Sequence, residues 1–299
     1  CSAAINRKES TDMSTAASYF IVFVCVYLIL TWAAYVPFKA GLLYNGTVYC
    51  MAIGGYFAAF MSKTFGTPFW LCMLGAVVVS GLLGFLPALG FSRTKGVVTA
   101  VSSMALIFII QAVIRNIPAL GAARGISGIK KCEHLVLFSI ICAVAIGYFL
   151  FRFEKSRFGR AFESIETDPD MAATLGVNVK RMTILGLTMS SVIAGVAGVI
   201  YAFQMRVVYP ETFGFSMLLN IMTMMFVGGR YTQWGMLISV PVLWGLNKWI
   251  PPELAIYAQI IYGVILIIVL MAFPEGIVTR GMIKKLKGIF IKQKVMEAK

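Results

Sequence analysis

The sequence predicts an all-α fold: a polytopic transmembrane helical bundle of about eight to nine spans, with short helices lying outside the bilayer. Three observations predict it. Of the 299 residues, 60% are hydrophobic and only 13% charged, well away from the composition of soluble domains, which are roughly half apolar. Runs of about twenty apolar residues recur along nearly the whole chain, which suits membrane-crossing helices and not the shorter alternating strands of a barrel. Finally, a polar, mixed-charge segment, FGRAFESIETDPDMAATLGVNVKR from Phe158 to Arg181, keeps apolar side chains at helical spacing.

In chain order, a polar segment (residues 1–18) precedes the first span, about residues 19–36, whose end is marked by Pro37 and Lys39. The chain opens on Cys1, so its natural N-terminus is expected to be missing or processed, and the polar run lacks a signal-peptide pattern. The second stretch, GLLYNGTVYCMAIGGYFAAFMS (residues 41–62), is interrupted by Gly41, Gly46, Gly54 and Gly55 and carries Asn45 and Thr47. A broken helix is tolerated in a membrane only where its backbone faces protein or a watery cavity, so these six residues are candidates for lining a translocation path. Packing of small residues between helices is the competing explanation. Asn45-Gly46-Thr47 matches a glycosylation sequon, but inside a span it cannot be read as one.

Spans three and four, about residues 68–90 and 96–114, are joined by the cationic turn SRTK, expected in the cytoplasm. The glycine-rich connection of residues 115–131 is long enough to cover one mouth of a path and leads to span five, about residues 134–151. Span six, about residues 182–205, contains the small-residue run SSVIAGVAG, which allows close helix approach. Spans seven to nine, about residues 212–229, 231–247 and 254–273, end in a basic tail, residues 278–299. With that tail in the cytoplasm, nine spans place the N-terminus outside and the central polar segment inside.

Within the central segment, Phe158, Ala161, Phe162 and Ile165 fall at i, i+3, i+4 and i+7, the mark of a short helix with one apolar face. Asp168 followed by Pro169 suits an N-cap with proline at the first helical position, and Asp170 in the first turn favours the helix dipole. A second short helix is therefore expected through Met171, Ala172 and Leu175, closed by Gly176 in a left-handed conformation. An ordinary solvated loop has no use for a docking face or for two caps.

Function classes narrow quickly. Lys and Arg number 26 against 12 acidic residues, net +14; because the excess lies in loops and tail, it reads as cytoplasmic retention and contact with anionic membrane lipid, with no nucleic-acid partner. The six cysteines form no CxxC pair and mostly lie within spans, so neither metal nor disulfide framework is expected, and His134, the only histidine, stands at a span boundary. The spans as drawn hold no carboxylate, which argues against intramembrane catalysis and against an ion-coupled secondary carrier. A passive channel stays open but leaves the two short helices unexplained. The chain has no GxxxxGK[ST] loop, so no cofactor is expected on it and any ATP hydrolysis belongs to a partner.

Taken together, GLLYNGTVYCMAIGGYFAA, the central segment, SSVIAGVAGVIYA, YPETFGF, the pair Gly228 and Gly229, and the closing FPEGI resemble, in order and spacing, the permease subunits of ABC importers for branched-chain amino acids, of the M-like type. The resemblance covers roughly residues 41–277 and implies a permease domain over residues 19–277, in a prokaryotic cell (inner) membrane. It implies that residues 157–181 form the coupling region docking on a cytoplasmic ATPase, through Phe158, Gly159, Arg160, Ala161, Glu163, Ile165, Asp168, Ala172, Ala173, Leu175 and Gly176. Its implied partners are a second, related permease, two ATPase subunits that carry ATP and Mg, and an extracytoplasmic solute-binding protein. The sequence departs from the family at Tyr44, where serine is usual, Thr47, where histidine is common, Glu166, where arginine is frequent, and Arg230, Tyr231 and Thr232. These departures bear on the solute, for which urea, short amides or other amino acids are the alternatives.

Overall fold

The computed structural model describes residues 2–94, 96–130, 132, 134–229 and 232–249, together with Ile260, Gly263, Val264, Ile267, Ile268 and Met271; for residues 2–16 and 246–249 only the backbone is described. Most of the ninth expected span, the closing FPEGI and the basic tail lie outside the described residues. Two compact units are present, Cys1–Leu218 and Leu219–Lys299.

The first unit is built from α1 (Ser2–Lys39), α2 (Thr47–Thr64), α3 (Phe69–Phe91), α4 (Val97–Asn116), α5 (Leu135–Lys155), α6 (Arg157–Thr167), α7 (Pro169–Thr174), α8 (Val179–Met205) and the start of α9 (Phe215–Gly228). Among the described residues, five helices are long and apolar enough to cross a membrane: α3, α4, α5, α8 and the Ala17–Lys39 part of α1. They fall on the expected spans to within about a turn. α1 takes in the polar residues from Ser2 onward without a break, and Pro37 stands in its last turn rather than ending it.

The second expected span needs correcting. Its helix begins only at Thr47, and residues 41–46 form a non-helical turn, because Gly41 takes a left-handed φ of +70° immediately after α1. The breaks therefore lie ahead of α2, and Gly54 and Gly55 are ordinary helical residues within it.

Burial separates inner from outer helices. The most apolar windows of α1 and α8 are 78% and 72% buried, against 28%, 22% and 28% for α3, α4 and α5. α8 is the central rod, packed against α1, α2 and α3. Its small residues permit this: a Cβ on Gly54 would stand 2.5 Å from Gly195 O, and one on Gly55 3.1 Å from Gly198 O, so α2 and α8 touch backbone to backbone. The outer face of α3 carries Leu71, Leu74, Val78, Leu82 and Leu86, all exposed at helical spacing, an apolar stripe that fits lipid tails.

At the C-terminal end of α8 the long connection is pinned. β1 (Ile126–Ser127) pairs antiparallel with β2 (Val207–Val208), Tyr56 Oη donates to Val208 O at 3.2 Å, and Gln111 Nε2 donates to Pro210 O at 3.0 Å. An Arg115–Glu211 ion pair at 3.1 Å completes the tie. The opposite end of α8 carries α6 and α7. Twenty-seven residues separate the two ends, about 40 Å of helix at 1.5 Å per residue.

The second unit holds most of α9 and α10 (Gln233–Trp249). Gly228 lets the two come together, since a Cβ there would lie 2.6 Å from Ser239 Oγ, and Ser239 Oγ donates to Met224 O at 2.7 Å.

Candidate functional site

The central polar segment folds as two short helices set at a sharp elbow from α5. Ser156 is extended and caps α6, its Oγ accepting from Gly159 N at 3.3 Å. Gly159 is required by the elbow: a Cβ would lie 2.5 Å from Phe153 O and closer still to Glu154 O. Asp168 then ends α6 and caps α7, its Oδ1 accepting from Asp170 N at 2.9 Å and Met171 N at 3.0 Å. Gly176 closes the segment at φ +87°, donating its N–H to Ala173 O at 3.0 Å. The next helix, α8, is capped by Asn178 Oδ1 accepting from Arg181 N at 3.0 Å. Each cap satisfies backbone donors that would otherwise be orphaned at a helix start.

The segment has an inner and an outer side. Phe162, Ile165, Gly159 and Ala172 are buried within the chain, Ala161 is half-buried, and Gly186 of α8 makes room for the Phe162 ring at 3.1 Å. The expected apolar face of α6 is therefore its attachment to the bundle, with Phe158 at its rim, stacked on Phe153 with centroids 6.4 Å apart. On the outer side stand Arg160, Glu163, Asp168 and Ala173, with three large apolar groups among them: Phe158, Met171 and Leu175, at 48%, 63% and 74% exposure. Ile165 and Ala172, taken from the sequence as docking residues, instead face inward, because α7 folds back on α6 and α8. Both are buried within this chain, at 3% and 1% exposure.

Beneath the elbow, Tyr35 Oη donates to Glu154 Oε1 at 2.6 Å, Lys39 Nζ donates to Tyr35 Oη at 3.2 Å, and Lys39 Nζ lies 3.8 Å from Glu154 Oε1. Nothing in the sequence signals this cluster, since Glu154 lies more than a hundred positions from both Tyr35 and Lys39.

The six translocation-path candidates are not brought together. Gly41 packs on the coupling segment, where a Cβ would meet Glu166 Cα at 3.3 Å. Gly54 and Gly55 belong to the α2–α8 seam. For these three glycines the geometry favours the competing explanation, close packing. Asn45 is tied to α4, its N–H donating to Ser103 Oγ at 3.0 Å and its Nδ2 to Ala100 O at 3.3 Å. Gly46 is buried against the rings of Tyr44 and Tyr49, whose hydroxyls lie 2.8 Å apart. Thr47 is fully buried and its Oγ1 has no hydrogen-bond partner in the structure, a property shared with Ser190 Oγ of α8. Residues 45–47 thus remain the polar candidates, half-buried to buried.

Comparison with known proteins agrees with this architecture. The family described as "Branched-chain amino acid transport system / permease component" matches residues 16–270. The high-affinity branched-chain amino acid transport system permease protein LivM of Salmonella typhimurium is 23% identical over 285 positions, covering 83% of this chain and 67% of its own length. The LivM protein of Escherichia coli is 22% identical over the same shares. A nucleoside ABC transporter permease protein, NupC of Lactococcus lactis, is 41% identical over 64 positions, 21% of this chain and 19% of its own. No solved structure matches significantly. The chain is a multi-pass membrane protein that belongs to the family of branched-chain amino acid transport permease components.

Proposed function

We propose that this chain is the transmembrane permease subunit of an ATP-driven importer in a prokaryotic inner membrane, and that α6 and α7 are the element through which a cytoplasmic ATPase drives it. The observation that carries the reading is the exposed trio Phe158, Met171 and Leu175 on a segment otherwise clothed in Arg157, Arg160, Glu163, Asp168, Asp170, Lys180 and Arg181. Apolar groups held in water by a doubly capped, rigid pair of helices suit a protein partner. The cations favour a cytoplasmic side for this end, which would leave the pinned end of α8 outside.

The full assembly comprises a second, related permease, two ATPases holding ATP and Mg, and an extracytoplasmic binding protein. The solute class is branched-chain amino acids. A nucleoside is the second reading, favoured by the 41% identity to the nucleoside permease over 64 positions.

The test uses the assembly purified through a tag on this chain and reconstituted in proteoliposomes. ATP-driven uptake of labelled leucine is expected, competed by valine and isoleucine; competition by nucleosides alone favours the second solute. Ala173→Arg, on the exposed side of α7, is expected to leave membrane insertion intact while lowering ATPase recovery at least about tenfold, which requires only about 1.4 kcal/mol at the interface. Full ATPase recovery and parental uptake in that variant overturn the docking role. Uptake by this chain alone, driven by a proton or sodium gradient, overturns the ATP-driven class.

A further inference from the structure

We propose that Tyr35, Lys39 and Glu154 form a clasp that makes the ends of α1 and α5 and the helix α6 move as one body, carrying motion of the coupling segment into α1 and from it to α8. The inference rests on the reading of α6 and α7 as the ATPase-docking element and assigns positioning residues to that same site.

The geometry is specific. Glu154 stands in the last turn of α5, two residues before the Ser156 cap of α6. Its Oε1 accepts the Tyr35 hydroxyl at 2.6 Å and lies 3.8 Å from Lys39 Nζ, while Lys39 also donates to Tyr35 Oη at 3.2 Å. Three side chains from two helices thus close one ring of contacts. The Lys39 and Glu154 side chains are only 11% and 22% exposed. Charges this sheltered at the edge of a bilayer are costly apart, so separating α1 from α5 here is opposed by more than lost packing.

The elbow from Glu154 into α6 has little freedom of its own. Gly159 sits under the carbonyls of Phe153 and Glu154, and the Phe153 ring meets Phe158 face on and Phe162 edge on, the latter with centroids 5.2 Å apart. A force on α6 is therefore delivered to Glu154, and the clasp passes it to α1. α1 in turn packs along α8, the central rod whose far end is tied by β1 and β2.

Hydrogen–deuterium exchange on the reconstituted assembly tests this without knowledge of the solute, comparing nucleotide-free with vanadate-trapped ATP states. In the parental assembly, an ATP-dependent change is expected in residues 157–176 and also in residues 33–39 of α1. In Glu154→Gln and in the milder Tyr35→Phe, the change in residues 157–176 is expected to persist while that in α1 shrinks at least about fivefold, the lower end of typical coupling between sites. Lys39→Arg, which keeps the charge, is expected to keep most of the α1 response. Thermal unfolding and ATPase recovery are followed in parallel. An α1 response of parental size in both Glu154→Gln and Tyr35→Phe overturns the clasp. So does a loss of α1 response that merely tracks lost stability or lost ATPase. Absence of any ATP-dependent change in residues 157–176 of the parental assembly sinks the docking role itself.

Discussion

Two stretches stand out in this sequence, the charged segment of residues 157–176 and the glycine-broken stretch of residues 41–55, and the structure treats them oppositely. The first folds as its own residues direct: Asp168 caps, Pro169 starts and Gly176 stops, each acting on backbone within three positions. The second falls apart into unrelated roles. Gly41 serves α6, Gly46 makes room for two tyrosines, and Gly54 and Gly55 serve α8. Capping is a local property, satisfied by near neighbours, whereas the use of a bare backbone depends on what lies across from it. Glycines in a membrane helix therefore mark close approach without saying to what.

The sharpest way to break this comparison is to add side chains where α2 and α8 meet. Gly54→Val is expected to cost about 3 kcal/mol, because the new methyls have only Gly195 backbone to displace. Thermal unfolding in detergent measures it, with Gly90→Ala as control, since nothing lies within 4 Å of a Cβ at Gly90. Parental stability in Gly54→Val restores the path-lining reading of that glycine.

Next in size is the contrast between neighbours on α7. Ala172 is 1% exposed and Ala173 is exposed, so Ala172→Arg should destabilise the segment by about 2 kcal/mol, softened because arginine can snorkel outward. Ala173→Arg should leave stability unchanged. Limited proteolysis of residues 157–176 separates the two, and equal protection in both variants contradicts the inward placement of Ala172.

A smaller effect is expected at the cap. Asp168→Ala removes two accepted hydrogen bonds and should cost about 1 kcal/mol, read as faster amide exchange in residues 169–174 with the rest of the chain unaltered. Unchanged exchange there means α7 is held by docking on α6 and α8 alone. The smallest effect sharpens the other region: Thr47→Val removes a buried hydroxyl that has no partner, so stability should hold or rise by up to about 1 kcal/mol. A fall in uptake at unchanged stability assigns the hydroxyl to the solute path; a fall in stability shows that Thr47 is bonded within the folded chain. Cysteine at Asn45, which is half-buried, should label with small water-soluble thiol reagents faster than cysteine at Thr47.

The two caps flanking the coupling segment, Ser156 and Asn178, are legible in the sequence as well. Each is a favoured N-cap residue directly before its helix. No such signal existed for Tyr35, Lys39 and Glu154, or for the Tyr44–Tyr49 pair beneath Gly46. Their chemistry arises only when α1 meets α5, or when the turn after α1 folds onto the start of α2.

By itself, then, the sequence determined the class of the fold, the spans that became α3, α4, α5, α8 and the apolar part of α1, and the caps that shape α6 and α7. Apolar run length and capping act within one segment, so the chain need not be folded for them to be read. Tertiary structure alone decided which faces those segments turn inward. It put Ile165 and Ala172 inside, gave Gly54 and Gly55 to α8, and joined Tyr35 to Glu154 across 119 positions. Helical periodicity shows that a face is apolar or small. Only the neighbour that packs against it settles whether the face holds the bundle together, meets lipid or receives a partner.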